Sequence, residues 1–180
     1  MKDFEQNQLA VGKFEKENKV GEWNHYYPSG RKRLQEFYSK GIQTGLSYNY
    51  EDTGHIYEIV NYANDTINGL YEVYNDGILD RTFSYEKGIQ NGPIKTFYKN
   101  GKLKSEGYRI EGNTNHELIK YRQDGTVAKR EKYLDDELNS VMTYNLKGEL
   151  ENNFDYNKKT GKFNFIGTGY QQFHINTIAD

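Results

Sequence analysis

The feature that most constrains this chain is a frame of four markers that recurs every 23 or 24 residues. Gly21 is followed by Tyr26, Gly45 by Tyr50, Gly69 by Tyr74, Gly92 by Phe97, His116 by Tyr121 and Asn139 by Tyr144, with starts separated by 24, 24, 23, 24 and 23 residues. A second glycine follows in each unit: Gly30, Gly54, Gly77, Gly101, Gly125 and Gly148. Eight residues later comes Tyr38, Tyr62, Tyr85, Tyr133 or Tyr156; in the fourth unit the tyrosine comes one residue early, at Tyr108. A last marker is Gly41, Gly88 or Gly112, replaced elsewhere by Asp65, Asp136 and Lys159. Self-similarity at such a period marks an array whose units bury surface only against their neighbours. The expected organisation is one repeat domain over 1–180. It has an N-terminal cap at 1–20, six units over 21–160 starting near 21, 45, 69, 92, 116 and 139, and a C-terminal cap at 161–180. "VGKFEKENK" and "GKFNFIGTGYQQFHI" read as partial flanking units, with "YQQFHINTIAD" as a final strand.

Within each unit the apolar residues alternate. Ile56, Val60 and Tyr62 share one parity, as do Leu79, Phe83 and Tyr85, and Leu150, Phe154 and Tyr156. Period two is the signature of a strand. The segments before the second glycine ("EWNHYY", "LSYNY", "LYEVY", "IKTFY") are also strand-like, but Trp23 and Tyr26, or Tyr71 and Tyr74, have opposite parity. A bulge or a strand serving both faces accounts for this equally well. The connections "PSG", "DTG", "NDG", "KNG", "QDG" and "LKG" are turn signals. Each unit is therefore a β-hairpin, and a lone hairpin does not stand in water. The fold class expected is all-β: an elongated, twisted antiparallel sheet of consecutive hairpins, with no helix.

Composition agrees. Mean hydropathy is −1.02, yet the chain has 17 tyrosines and 18 glycines, which suits a sheet with much exposed surface and a thin core. The absence of cysteine excludes disulfides and thiolate chemistry. No apolar run approaches the ~18 residues of a membrane helix. The start, "MKDFEQNQLAVGKFEKE", has no apolar signal segment. A cytoplasmic location is the expectation, or a periplasmic or envelope one if a signal peptide has been removed.

No catalytic constellation is legible. His25, His55, His116 and His174 lie far apart and at different repeat positions, which argues against a metal site, and G-x-S-x-G, Walker and H-E-x-x-H motifs are missing. The expectation is a non-enzyme without cofactor or metal. Charge is more informative. From Ile42 to Glu86 eight acidic residues meet only Arg81, a net of −7, whereas Lys87 to Arg109 carries +5. Glu51, Asp52 and Asp76 lie on or beside predicted turns, as one acidic rim. Trp23, Tyr26, Tyr27, Tyr48, Tyr50, Tyr71 and Tyr74 exceed what one hairpin core requires, and such rings anchor interfaces. The candidate partner-binding residues are Trp23, Tyr27, Tyr50, Glu51, Asp52, Glu72, Asp76 and Asp80. Two plainer readings compete: charges that keep an exposed sheet soluble and unpaired at its edges, and tyrosines that form cross-strand ladders. Residues 94–109 interleave aromatic and basic side chains, but a net charge of −2 and a pI near 6.1 count against nucleic-acid binding.

The stretches "GEWNHYYPSGRKRLQEFYSKG", "GLYEVYNDGILDRTFSYEKG" and "GPIKTFYKNGKLKSEGYRIEG" resemble the bacterial variant of the MORN repeat, over about residues 12–165. His116 and Asn139 depart from that pattern where it has glycine. The resemblance implies hairpin architecture and carries no catalytic residue. Proteins of this type are often antitoxins or immunity proteins, others are scaffolds, and some contact membrane lipids. The leading expectation is a protein-binding antitoxin, immunity protein or inhibitor that covers a basic, nucleic-acid-acting toxin or nuclease-type enzyme. The alternative is a structural or envelope-associated scaffold making protein or membrane contacts. Membrane contact is the less favoured of these, and the chain is expected as a monomer or an edge-to-edge homodimer.

Overall fold

A computed structural model describes residues 9–114, 116–156 and 160–162. Sixteen strands follow one another: β1 (Ala10–Glu15), β2 (Asn18–Tyr26), β3 (Lys32–Ser39), β4 (Ile42–Gln43), β5 (Gly45–Tyr50), β6 (Ile56–Ala63), β7 (Thr66–Asn75) and β8 (Ile78–Glu86). The second half comprises β9 (Ile89–Phe97), β10 (Leu103–Ile110), β11 (Asn113–Thr114), β12 (His116–Tyr121), β13 (Val127–Leu134), β14 (Glu137–Tyr144), β15 (Leu150–Asp155) and β16 (Thr160–Lys162). All join one antiparallel sheet in chain order, with the short β4 and β11 pairing beside β5 and β12. The sheet does not close on itself. Fourteen strands lie on the continuous path, which at ~4.8 Å per step makes it about 62 Å long. Among the described residues there is no helix.

The repeat frame is a frame of turns and bulges. One edge of the sheet carries two-residue turns: Lys16-Glu17, Lys40-Gly41, Asn64-Asp65, Lys87-Gly88, Glu111-Gly112 and Asp135-Asp136, each with both residues at positive φ. This is the type I′ geometry, whose twist matches that of the strands it joins. The last sequence marker is the second residue of these turns. Its N–H reaches back one unit, from Gly41 to Lys19 O at 2.9 Å, Asp65 to Gln43 O at 3.1 Å and Gly88 to Ile67 O at 2.8 Å. Where the marker is aspartate the carboxylate returns a second bond, accepting Gln43 N–H at Asp65 and Thr114 N–H at Asp136, both at 2.7 Å. The Lys159 marker lies outside the described residues.

The opposite edge carries longer turns. Tyr27–Arg31, Glu51–His55, Tyr98–Lys102, Arg122–Thr126 and Asn145–Glu149 are each closed by the first residue's N–H on the last residue's carbonyl at 2.8–2.9 Å. The third unit is one residue shorter and makes a two-residue turn at Asp76-Gly77.

The leading glycines sit at a wide bulge. While β6 steps from Val60 to Tyr62, β7 runs from Tyr71 to Ile67, and β8 and β9 repeat this between Phe83–Tyr85 and Ile94–Gln90. Gly21, Gly45, Gly69 and Gly92 absorb the extra chain at φ of 66°, 75°, 109° and 121°, where a side chain is disfavoured. The fifth unit is entered through a segment of the same length but starts with His116, which is held at φ 86°. The sixth unit enters through a bulge one residue shorter, between Lys132 and Tyr133, and its Asn139 is not in the left-handed region.

Register explains the glycine–tyrosine pairing. Gly21 lies opposite Tyr38, Gly45 opposite Tyr62, Gly69 opposite Tyr85 and His116 opposite Tyr133. In the fourth unit Arg109 takes that place opposite Gly92, and Tyr108 is turned to the other face beside Pro93.

The parity question is also answered. The first strand of each hairpin serves both faces, and a bulge lies on the second strand, at Arg33, Tyr57, Asp80, Lys104, Ala128 and Glu151. One face carries a central file: Trp23 opposite Glu36, then Ser47, Val60, Tyr71, Phe83, Ile94 and Gly107 in successive register, and Leu118, Glu131, Val141 and Phe154. The other face pairs Tyr50 with Ile56, Tyr74 with Leu79, Phe97 with Leu103, Tyr121 with Val127 and Tyr144 with Leu150. The bulge thus moves Ile56, Leu79 and Leu150 off the face that parity alone assigned them. The core is thin: among the described residues no side chain is wholly buried.

Candidate partner-binding surface

The long-turn edge gathers six of the eight candidate residues. Tyr27 donates its hydroxyl to the carbonyl of Tyr50 at 2.6 Å, and so fixes the first long turn onto the second. Ser29 bonds the Asp52 carboxylate, and the Arg31 guanidinium bonds the Asp52 carbonyl. Thr53 donates to Glu51 at 3.1 Å. Asp76 is exposed at the next turn, and Asp80 follows at the bulge, capped by Arg81 Nε at 2.7 Å. Among the described residues the carboxylates of Glu51, Asp52 and Asp76 enter no ion pair, and the cation nearest them by hydrogen bonding is Arg31, on the Asp52 carbonyl.

Tyr50 belongs to the edge by its ring and to the sheet by its hydroxyl. Its OH donates to Gln35 at 3.2 Å. Burial, then neighbouring Tyr48 and Glu22, hold its pKa above the usual phenol range, so the ring stays neutral. Glu72 lies on the same face as Tyr50, two residues in from Tyr74, whose hydroxyl it accepts at 3.2 Å. It borders the edge and is half-buried.

Trp23 is not part of this surface. It lies on the opposite face, 4% exposed. Phe14 meets it edge-on at 4.8 Å, Lys19 caps it at 4.7 Å, and a Cβ on Gly12 would fall within its ring. The absence of a side chain at Gly12 lets the first hairpin close over the indole, so Trp23 is a core residue. Tyr71 likewise sits in the central file, with its hydroxyl on Glu58 at 2.6 Å.

The acidic block does not form one patch. Glu51, Asp52, Asp76 and Asp80 reach the long-turn edge, Asp65 and Glu86 the short-turn edge, Glu58 one face and Glu72 the other. The rim consists of the first group alone. It gives way along the same edge to Lys99 and Lys102 in the fourth unit. Sequence reasoning missed two members: His55, exposed and packed beside Gly77, and Tyr57, the bulge residue whose phenol is kept neutral by burial, Glu58 and Tyr27. The third residue after each second glycine is the signal that finds Tyr57.

Other polar groups serve packing. His25 Nε2 lies 3.1 Å from Glu36, whose other oxygen accepts from Gln43 at 3.2 Å. Glu131, 4% exposed, is bracketed by Lys120 at 3.0 Å and by Lys129. Burial works to raise its pKa, but the hydrogen bonds and charge of the two lysines outweigh it and hold the carboxyl below the usual range. Among the described residues no group of three His, Asp or Glu could hold a metal. His174 lies outside them.

No protein-family model matches the chain, and no curated protein matches it. Among solved structures it is similar to one described as "Crystal Structure of TarM", at 10% identity and a TM-score of 0.26. The match covers 88% of this chain but only 21% of that one. A likeness at that score says nothing about activity.

Proposed function

We propose that the chain is a non-enzymatic binding protein of the antitoxin, immunity or inhibitor kind, whose long-turn edge docks a basic partner enzyme. The observation that supports this best is the acidic rim of Glu51, Asp52 and Asp76, whose carboxylates enter no ion pair among the described residues, backed by Tyr27 and Tyr50. These two rings are ordered by hydrogen bonds before any partner arrives. Charge of one sign on a rigid rim speeds association with a cationic surface, and preordered tyrosines lower the entropy cost of contact. The mechanism is occlusion: a rigid sheet edge fills or covers the partner's basic cleft.

The test is co-expression and pull-down with the product of the adjacent gene, using wild type and a Glu51→Lys, Asp52→Lys, Asp76→Lys variant. Capture by wild type and loss in the variant is the expected outcome. Equal capture by both removes the proposal.

The scaffold reading draws on β1 and the residue before it, where Leu9, Val11 and Phe14 are 46–56% exposed. It expects self-assembly or membrane attachment that is indifferent to those three charge reversals.

A further inference from the structure

On the face that carries Tyr50 and Tyr74, towards the short-turn edge, lies a strip of exposed apolar side chains that the acidic rim does not use. Ile42, Leu46, Leu70, Ile89 and Tyr108 are 41–52% exposed, and Pro93 is exposed among them. Register puts them on one face: Leu46 opposite Asn61, Leu70 opposite Ser84, Pro93 opposite Tyr108, Ile42 opposite Ser39 and Ile89 opposite Glu86. All alternate with the central file on the other side. The strip runs from β5 to β10, about 24 Å at ~4.8 Å per strand. Asn61 and Ser84 lie between its members on β6 and β8, and exposed apolar side chains gathered on one face in this way mark an interaction site. The one-residue shift that puts Tyr108 out of phase with its counterparts supplies the strip's last member.

The turns bordering the strip indicate what covers it. The charges of the turn residues alternate along the edge, Lys40, Asp65, Lys87, Glu111, all exposed, with Glu86 beside Lys87 and bound by Asn91 at 2.9 Å. This series is self-complementary when reversed. A two-fold axis beside Leu70 places Lys40 of one copy against Glu111 of the other, and Asp65 against Lys87, while Ile42 and Leu46 meet Pro93 and Tyr108 and the two Leu70 side chains meet each other. A two-fold interface needs such a self-matching patch.

We propose that the protein forms an isologous homodimer through this strip, face to face rather than edge to edge. The axis runs along the strands, so both long-turn edges lie at the end away from the paired short turns, and the dimer would present two acidic rims side by side. The proposal is independent of what those rims bind.

Sedimentation velocity from about 1 to 100 µM tests it. Wild type is expected to dimerise, and Leu46→Lys with Leu70→Lys is expected to raise the dimer Kd at least about tenfold with an unchanged circular dichroism spectrum, both side chains being exposed. Lys40 and Glu111 occupy the same position of equivalent turns, at φ 52° and 49°. Lys40→Glu alone should weaken the dimer, and adding Glu111→Lys should restore it. A monomer at every concentration overturns the proposal, including one that binds lipid vesicles or another protein through the strip. So does a dimer indifferent to the two lysines at 46 and 70 but dissolved by Val11→Lys on β1, and so does a double charge swap that fails to rescue.

Discussion

His116 is the residue at which the repeat works against its own sequence. It must adopt φ 86° because the fifth unit keeps the full-length bulge that glycine occupies in the first four. Its ring packs edge-on to Tyr108 at 6.3 Å. Replacing an L-residue in that region by glycine relieves about 1 kcal/mol or more of backbone strain, against a few tenths from a more flexible unfolded chain. His116→Gly is therefore expected to stabilise the protein by about 0.5–1 kcal/mol in urea unfolding, while His116→Val is expected to destabilise it. Asn139→Gly should give no gain, because that bulge is a residue shorter.

Glu131 and Tyr38 tie the stability of the fold to pH with opposite signs. The Glu131 carboxyl is depressed, so the native state binds fewer protons than the unfolded chain near its titration, and stability rises with pH there. Its contribution is complete above the ordinary glutamate pKa of about 4.3 and is lost as pH falls through the lower native value. Denaturation followed from pH 6 to 2 should show this loss, and Glu131→Gln should flatten it while costing about 1 kcal/mol at neutral pH, a figure kept small because both lysine partners are well exposed. Tyr38 has the opposite sign. Burial, then the charge and hydrogen bond of Glu36, push its phenol up to about 12. Its contribution is present below pH 10 and is lost between about 10 and 12. Absorbance titration should show several late phenols, Tyr71 also being raised by burial and its hydrogen bond to Glu58, and Tyr38→Phe should remove one of them.

At the scale of the element, neighbouring hairpins are held by paired strands and also by clamps at each edge. At the long-turn edge the clamp is the residue after the leading aromatic: Tyr27 on Tyr50 O and Tyr98 on Tyr121 O, both at 2.6 Å, and Arg122 on Tyr144 O. At the short-turn edge it is the second turn residue, one unit back. Tyr98→Phe is expected to cost about 1 kcal/mol. It should speed amide exchange in the Arg122–Thr126 turn more than in Glu51–His55, which separates a lost clamp from a general loss of stability.

Much of this scale was legible in the sequence. Asn-Gly and Asp-Gly turns, period-two alternation and a fixed glycine spacing force hairpins, and hairpins force a sheet. The faces were less legible. A bulge at Tyr57 or Asp80 reverses parity at a position that carries a different residue type in every unit, so alternation alone puts Ile56 and Leu79 on the wrong side. The sequence alone groups Trp23 with the surface aromatics, because its burial depends on Gly12, a strand away, leaving room for the indole. The acidic block of residues 42–86 spreads over both edges and both faces, because 24 residues of hairpin visit each in turn, while Glu51, Asp52 and Asp76, which the turn signals mark, share one edge.

At the scale of the whole molecule, a single-layer array has no central core to organise it. Its stability is a sum over neighbours, and its large exposed surface is what it has to offer a partner. The two edges differ in chemistry: acid, then basic, blocks at the long turns, and alternating single charges beside an apolar strip at the short turns. That asymmetry is the basis for assigning partner binding to one edge and self-association to the face beside the other. Hydrogen–deuterium exchange of the protein with and without its basic partner tests the assignment most directly. Protection confined to residues 27–31, 51–55 and 75–80 is the predicted result. Protection confined to the short-turn edge at 40–41, 64–65 and 87–88, or the same exchange everywhere with a bound partner, would contradict it.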